Sequence, residues 1–389
     1  MIHELNKRDY HKVQPLFEEL AWNLITRAVI EGTSPGRVYT DRVTDPSAAF
    51  MCTVEGYYVA GQDNNDEFNT SLNNVIFSRL FAGDTVRQGE TDVAIGYHPD
   101  SWKEKMPIIL QGRTPLTTSR RHYVCTELKI DHWMNHVPKG FQIRRIDEQL
   151  LRTPHLEIPA HLTGWMKTNW GSIANFLEKG FGSCIVHDQQ VVSWSVADCI
   201  SGNACEIGIR THQAYRRGGL ATLTTAAAVT HALSSGCRQV GWHCDEYNVG
   251  SIGVAEKVGF ELERKYIQYY ACANEAHHLE ETAQAHFRAH RYKEAIKCYE
   301  AFFATPPEEL PKWFREILPH ELGTHYFRVA YAKAAVGENH GALKYLNLAV
   351  DNGWLQIDYL TSCRAFTSLY GTSAWNRILK KIRQKLSAS

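Results

Sequence analysis

The spacing of apolar and polar residues changes twice along this chain. In residues 1–135, short apolar runs such as residues 37–40 and 49–54 are separated by polar loops, a pattern typical of short strands. Between residues 141 and 270, alternating segments and three stretches of helical spacing predict the order β-α-β-β-β-α-β-α-β. After Asn274 the pattern predicts amphipathic helices only.

These changes predict three domains. Residues 1–135 are expected to form a domain of short strands and loops. Residues 136–274 are expected to form a mixed α/β domain, because strands and helices alternate there. Residues 275–389 are expected to form an all-helical domain.

The helical tail resembles two degenerate tetratricopeptide pairs. Residues 292–299 align with residues 339–346 at an offset that exceeds the repeat length of about 34 residues by about 13. The proline-containing insertion 305–319 can hold the excess, and a closing helix is expected at residues 374–386. An unrelated helical bundle is the alternative, since small residues are common where helices cross.

Composition narrows the classes of partner. The chain has 389 residues with 42 basic and 42 acidic side chains, so its formal net charge is zero. Non-specific binding to nucleic acid needs a positive excess, and we therefore expect no nucleic-acid partner. Hydrophobic residues make up 44% of the chain, which argues against disorder. The apolar runs are far shorter than the roughly 20 residues of a membrane span, so we expect no membrane insertion.

The N-terminus and the cysteines indicate a compartment. The first residues contain no basic segment followed by an apolar core, as a secretory signal would. The ten cysteines are dispersed without a Cys-x-x-Cys pair. Together these features predict a cytoplasmic protein with reduced, buried thiols.

Histidines in the tail raise the question of a metal site. No acidic or cysteine partner completes a set at ligand spacing in the sequence, so we expect no metal and an exposed polar helix face. The histidines concerned are His277, His278, His286 and His290.

The most informative segment joins a predicted strand to a predicted helix. Residues 206–211 form the strand, and Arg216, Arg217, Gly218 and Gly219 precede the helix. Glycines let the backbone approach a ligand closely, and the first N–H groups of a helix have no intrahelical partners. The helix dipole and the arginines add positive potential, so the turn predicts a site for an anionic ligand with a pyrophosphate. Ordinary turn chemistry is the alternative.

Two signatures in this region resemble those of the GNAT superfamily of acyl-CoA-dependent N-acyltransferases. Arg216-x-x-Gly219-x-Ala221 is similar to the Arg/Gln-x-x-Gly-x-Gly/Ala signature. Residues 248–260 resemble the second signature, with an asparagine, a serine and a helix that ends in Lys-x-Gly-Phe. Because both signatures lie on the expected elements, residues 136–274 are identified as a member of this superfamily.

The resemblance extends to a group within the superfamily. Trp242-His243-Cys244, Ser193-Trp194-Ser195 and the long upstream region resemble the zwittermicin A resistance-type group, whose members carry a second GNAT-like half. This implies a tandem mixed-sheet GNAT fold. Residues 1–135 lack the phosphate-binding signature, so the implied first half is degenerate and shapes the active site without holding the cofactor.

The resemblance implies acetyl-CoA as the cofactor and assigns its contacts. The backbone of Ile209 and Thr211 would pair with the pantetheine arm like an added strand. Asn248 and Ser251 would contact the arm or the thiol end, and Asn248 is equally suited to cap a helix. The pyrophosphate would be held beside Arg216 by the N–H groups of Arg217, Gly218, Gly219, Ala221 and Thr222.

Glu206 is the candidate general base, because many GNAT enzymes carry a base at this position of the signature strand. N-acetylation needs a neutral amine, so a group must accept a proton from the ammonium. Burial between Cys205 and Ile207 is expected to raise the pKa of Glu206 toward the working range. A structural ion pair with Arg210, on the same face of the strand, is the alternative.

The candidate general acid departs from the family pattern. Many GNAT enzymes carry a tyrosine in the last helix, where this chain has Ala255. Tyr247, His243 and Cys244 are the substitutes, and the sequence does not choose among them. Covalent catalysis by Cys244 is the less expected role, since strand cysteines are usually buried. Water can also protonate a departing thiolate.

Together these observations predict an acetyl-CoA-dependent N-acetyltransferase. The expected acceptor is the amine of a small molecule of antibiotic or natural-product type, which attacks directly in a ternary complex. One alternative is a peptide or protein amine recruited by the helical tail. Others are a longer acyl chain and a non-catalytic acyl-CoA-binding scaffold.

Overall fold

One twelve-stranded sheet runs through the residues that the structure, a computed structural model, describes, namely 2–86 and 91–388. The order across the sheet is β1-β2-β3-β4-β5-β12-β6-β11-β10-β9-β8-β7. The β4–β5 and β10–β11 pairs are parallel, which confirms the predicted mixed sheet. The strands are β1 (His3–Glu4), β2 (Gly36–Thr40), β3 (Ala48–Thr53), β4 (Tyr57–Gly61), β5 (Asp92–His98), β6 (Leu116–Cys125), β7 (Gln142–Arg145), β8 (Gly182–His187), β9 (Gln190–Ser201), β10 (Ala204–Thr211), β11 (Gln239–Asp245) and β12 (Glu261–Cys272).

The sheet contains two halves with the same pairing scheme. Strands β1 to β4 pair in antiparallel succession and β4 then pairs in parallel with β5; strands β7 to β10 and β11 repeat this scheme. The sixth strands of the two halves are exchanged. The last strand of the second half, β12, lies beside β5 of the first half, whereas β6 of the first half lies between β12 and β11. The predicted boundary at residue 135 falls between β6 and β7. The exchange nevertheless joins both halves into one compact unit, Met1–Tyr270.

Helices cover the sheet of this unit. The single helix that the sequence predicts over residues 161–177 is two helices, because Gly171 ends the first of them in a left-handed conformation (φ 74°). Further 3₁₀ or π segments cover Lys7–Leu20, Ile76–Leu80, Asp100–Lys105, Trp133–His136 and Gln213–Tyr215. The helices are α1 (Leu24–Ile30), α2 (Asp66–Val75), α3 (Met106–Ile109), α4 (Glu148–Leu151), α5 (Ala160–Trp170), α6 (Ile173–Lys179), α7 (Leu220–Ser234) and α8 (Val249–Val258).

A large apolar cluster fixes the strands that carry the candidate site. Trp194 of β9 and Trp242 of β11 are almost fully buried in it, together with residues of α5, α7 and α8. Burying a large apolar side chain contributes roughly 1.5–3 kcal/mol, so this cluster holds β9, β10 and β11 firmly against their helices.

The second compact unit, Ala271–Ser389, is helical, as predicted. Helix α11 begins at Lys312, so the insertion expected over residues 305–319 is partly helical and Pro319 lies inside the helix. The early start buries Phe314 among apolar residues of α9 and α10. The tetratricopeptide assignment stays a prediction. The helices are α9 (Glu275–Arg288), α10 (Tyr292–Phe303), α11 (Lys312–Ala335), α12 (Asn339–Asp351), α13 (Ile357–Ser362) and α14 (Ser373–Ala388), with 3₁₀ turns at Pro307–Glu309 and Arg364–Leu369.

Three further expectations bear on this fold. The expectation that no acidic partner accompanies the tail histidines is wrong, because His277, Glu280 and Glu281 bring their ligand-type atoms within 4.8 Å of one another on α9. The ten cysteines are free thiols, with Cys237 and Cys298 only half-buried. Among the helices described, none is both long enough and apolar enough to cross a membrane.

Candidate active site

A wedge opens between β10 and β11. Their parallel pairing runs only from Ala204 with Gln239 to Glu206 with Gly241. Beyond that point β10 continues along β9 to Thr211, with a register shift after Glu206, whereas β11 continues along β6. The strands therefore diverge just after Glu206, which lies at the vertex of the wedge.

The edge of β10 that faces the wedge presents backbone groups. The N–H of His212 donates to the Val192 carbonyl at 2.8 Å, which marks a hydrogen-bonded pair with β9. Since such pairs alternate in antiparallel strands, the N–H and C=O groups of Ile207, Ile209 and Thr211 point away from β9, into the wedge. The geometry is suited to an extended ligand that pairs as an added strand.

The N-terminus of α7 forms an exposed cradle beside the wedge. Gly219 has a left-handed backbone conformation (φ 78°), and no side chain caps this helix terminus. The first helical hydrogen bond runs from the Leu223 N–H to the Gly219 carbonyl, so the N–H groups of Ala221 and Thr222 precede it. The side chains of Arg216 and Arg217 are exposed here. Positive potential and N–H groups without helical partners fit a pyrophosphate.

The Glu206 carboxylate is buried among partners from several strands. It is 4% exposed. Its Oε1 accepts a hydrogen bond from the Leu24 N–H at 2.9 Å and lies 3.1 Å from His243 Nε2. The Cys199 thiol lies 3.5 Å from Oε2. The partner of Glu206 is thus His243, not Arg210, which is exposed.

These partners decide the protonation of Glu206. Burial by itself raises the pKa of Glu206. The charge of His243 and its hydrogen bond, together with His122 and the Leu24 N–H, outweigh burial and hold the pKa of Glu206 below its ordinary value. The expected upward shift is therefore wrong. The carboxylate is ionised at neutral pH.

Two stacked histidines adjoin this carboxylate. His122 of β6 is paired with His243 of β11, and their ring centroids are 4.3 Å apart. His122 Nδ1 lies 2.9 Å from Oε2 of Glu263, and His243 Nδ1 lies 3.0 Å from the hydroxyl of Tyr266. Burial and the neighbouring His243 lower the pKa of His122 to about 4, so its imidazole is neutral. The Trp22 ring covers the group, 4.8 Å from that of Tyr266.

An acidic pocket of about 200 Å³ lies between α5 and the β3–β4 turn, and Glu55 supplies the carboxylate of its lining. The Asn169 amide donates to Glu55 at 3.4 Å and to Asp198 at 3.3 Å. A Cβ at Gly208 would lie 2.8 Å from the Asp198 carboxylate oxygens and from the Trp165 ring, so only glycine fits there. The Asp198 carboxylate and the Trp165 indole therefore lie against β10 at Gly208, and Asn169 links Asp198 to Glu55 of the pocket.

The remaining candidate residues differ from Glu206 and His243 in their exposure or in their hydrogen-bond partners. Tyr247 is 71% exposed. Cys244 is buried, and burial raises the pKa of its thiol, which disfavours the nucleophilic thiolate. The Asn248 side chain caps α8 by accepting from the Ser251 N–H at 3.0 Å, and the Ser251 hydroxyl accepts from the Trp242 indole at 3.0 Å.

Sequence reasoning did not find several residues of the site. Only the strand order and the packing of α1 bring His122, Tyr266 and Leu24 to the Glu206–His243 pair. The local sequence around them carries no motif. Glu55 and Asp198 likewise share the Asn169 amide only because residues from both halves pack together here.

Comparison with known proteins agrees with this arrangement. The profile of the GNAT acetyltransferases matches residues 14–269. An uncharacterised N-acetyltransferase of Bacillus subtilis strain 168, YdfB, is 27% identical over 272 residues, which are 70% of this chain and 99% of the relative.

Solved structures include similar chains. A GCN5-related N-acetyltransferase-like protein from Streptococcus suis 89/1591 has 23% identity and a TM-score of 0.49, over 67% of this chain and 98% of its own. A tandem GNAT protein from the clavulanic acid biosynthesis pathway has 12% identity and a TM-score of 0.45, over 70% of this chain and 99% of its own.

Proposed function

The chain belongs to the GNAT acetyltransferase family, and we propose that it transfers the acetyl group of acetyl-CoA to an amine of a small, cationic molecule by direct attack. The observation that carries this proposal is the Glu206–His243 pair at the vertex of the wedge. The loop to the cradle follows β10, and Gly208 of β10 lies against Trp165 of the acidic pocket, so the three parts of the proposed site adjoin one strand.

The residues around the wedge fit acetyl-CoA, which supplies an acetyl group on a thiolate leaving group. The N–H groups of Arg217, Gly218, Gly219, Ala221 and Thr222, with the Arg216 side chain, would hold the pyrophosphate. The wedge-facing backbone of Ile209 and Thr211 would hold the extended arm. A wedge-facing N–H would also polarise the thioester carbonyl. The Asn248 and Ser251 side chains already bond within the protein, so any contact with the arm would share them.

Glu206 and His243 act on the proton of the acceptor. The amine arrives as an ammonium and must lose a proton before its nitrogen attacks the carbonyl carbon. The ionised Glu206 carboxylate accepts that proton, and His243 holds the carboxylate in place. As the carbon–sulfur bond breaks, the thiolate regains a proton. Of the three predicted acids, His243 is the one beside Glu206, whereas Tyr247 is exposed and Cys244 is buried.

The acidic pocket supports a small cationic acceptor. Glu55 lies at its wall, Asn169 links Glu55 to the buried Asp198 behind the wall, and carboxylates attract ammonium groups. The Trp165 indole adds an aromatic surface on which a cation is stabilised. A volume of about 200 Å³ suits the head of a small molecule better than a folded protein segment.

A screen with acetyl-CoA and a set of acceptors tests the proposal. Thiol release would be measured with small monoamines, diamines, amino sugars and lysine-containing peptides. We expect release with small cationic amines. Release with peptides alone would overturn the small-molecule acceptor and favour recruitment by the tail. Calorimetric binding of acetyl-CoA without thiol release from any acceptor would favour a scaffold, and absence of binding would overturn the proposal entirely.

A further inference from the structure

Three side chains of metal-binding type converge near the vertex of the wedge, two of them beside the backbone of Gly241. One atom each of His122, Glu206 and His243 lies within 4.8 Å of the others. A Cβ on Gly241 would lie 2.8 Å from Cγ of Glu206 and 3.2 Å from Nε2 of His122. Because Gly241 has no side chain, Glu206 and His122 can approach each other next to its Cα.

Each imidazole is held through its other nitrogen. His122 Nδ1 contacts the Glu263 carboxylate at 2.9 Å, and His243 Nδ1 contacts the Tyr266 hydroxyl at 3.0 Å. Histidines that bind metals characteristically donate their second N–H to a carboxylate, a carbonyl or water, which fixes the ring. With Nδ1–H donated to Glu263, the neutral His122 keeps the Nε2 lone pair toward Glu206.

We propose that His122, His243 and Glu206 bind a divalent transition-metal ion of the zinc class, and that the bound ion inhibits acetyl transfer by occupying the atoms that accept the proton of the amine. Two imidazoles and one carboxylate are a donor set that zinc prefers, whereas magnesium and calcium prefer oxygen donors. Glu206 as a ligand and Glu263 behind His122 balance the two charges of the ion. The ion displaces the proton shared by His243 Nε2 and Glu206, and that proton leaves to solvent.

The binding part of this inference rests on geometry, and only the inhibition rests on the proposed function. The test uses the untagged full chain after treatment with a chelator. Equilibrium dialysis against zinc chloride, with metal analysis, compares the wild type with His122→Gln and Glu263→Gln. The matched control is His340→Gln, which removes an exposed imidazole of the helical tail. Circular dichroism checks that each variant is folded.

We expect His122→Gln to lose one equivalent of bound zinc, whereas His340→Gln keeps the wild-type stoichiometry. Glu263→Gln is expected to bind zinc about 10- to 100-fold more weakly, as is typical when the carboxylate behind a ligating histidine is lost. If His122→Gln and the wild type bind zinc with equal stoichiometry and affinity, the site does not exist. That result would leave the proposed acetyl transfer untouched.

A second measurement separates inhibition from binding. Product CoA is quantified by chromatography, because zinc would interfere with thiol reagents, while free zinc is raised and then removed with a chelator. We expect reversible inhibition of the wild type and a shift to higher zinc for Glu263→Gln, by the same factor as its loss of affinity. Zinc that binds at His122 but leaves the rate unchanged would overturn the inhibitory role.

Discussion

The backbone N–H of Leu24 donates a 2.9 Å hydrogen bond to the carboxylate of Glu206, 182 positions further along the chain. The first half of the chain thus contacts the candidate base directly. Trp22 covers the neighbouring histidines from the same segment. The resemblance implied that the first half shapes the site without holding cofactor; the Leu24 contact brings the first half into the candidate site, and the absence of cofactor from that half stays a prediction.

Glu206→Gln is expected to lower the rate of acetyl transfer about 100-fold or more, the usual contribution of a positioned base. Acetyl-CoA affinity should not change, because the cradle is at α7. Steady-state rates and calorimetry measure the two effects. The control is Glu261→Gln on β12, whose exposed carboxylate pairs with Lys129 at 2.7 Å. A variant at Glu206 that keeps the wild-type rate would exclude this residue as the base.

Gly219→Ala is expected to weaken acetyl-CoA binding about 10-fold, equivalent to about 1.4 kcal/mol. Alanine is strained at φ 78°, and its methyl group would lie in the cradle. Gly236→Ala is a matched control, because Gly236 is also left-handed (φ 99°), has open space around it and follows the other end of α7. Equal losses of affinity in both variants, measured by calorimetry, would show that strain rather than the cradle is responsible.

Asp198→Asn is expected to raise the KM for a cationic acceptor about 10-fold, because it removes the negative charge behind the acidic pocket and a charged hydrogen-bond partner contributes about 1.5–3 kcal/mol. The KM for acetyl-CoA should stay the same, because Asp198 is linked through Asn169 to that pocket and not to the cradle at α7. Asp188→Asn removes an exposed carboxylate from the β8–β9 turn and serves as the control. The acceptor pocket lies elsewhere if Asp198→Asn changes neither KM.

Stability should fall at mildly acidic pH because of His122. Its pKa in the folded chain is about 4, lowered by burial and by His243, whereas an unfolded histidine titrates near about 6.5. Between these values the unfolded state binds more protons, so stability is lost as the pH falls through this window. Urea unfolding should show the wild type losing about 2 kcal/mol more than His122→Gln between about pH 7 and pH 5. An identical pH dependence in both proteins would contradict a buried neutral His122.

Local pattern explains what the sequence could predict. The strand before Gly219, the helices ended by Gly236 and Gly259 and the tail helices follow from apolar periodicity and left-handed glycines, which neighbours in sequence determine. The candidate cofactor contacts around Gly219 lie on these locally determined elements for the same reason. Helix α11 is the exception, because the buried contacts of Phe314 extend it past Pro319.

Long-range register explains what the sequence could not predict. Whether Glu206 meets Arg210 or His243 depends on the divergence of β10 from β11, which no local pattern encodes. The direction of the Glu206 pKa shift depended on the same partners. His122 entered the site only because β6 is inserted beside β11.

The exchanged strands also constrain how the chain folds as it is synthesised. When the ribosome has completed β5 and β6, the strand that separates them in the sheet, β12, does not yet exist. The nascent first half therefore has an open β-edge until residue 272 has emerged, and open edges invite pairing with other chains. Translation speed and chaperone occupancy over residues 126–272 should accordingly govern the yield of folded protein more than those over the helical tail.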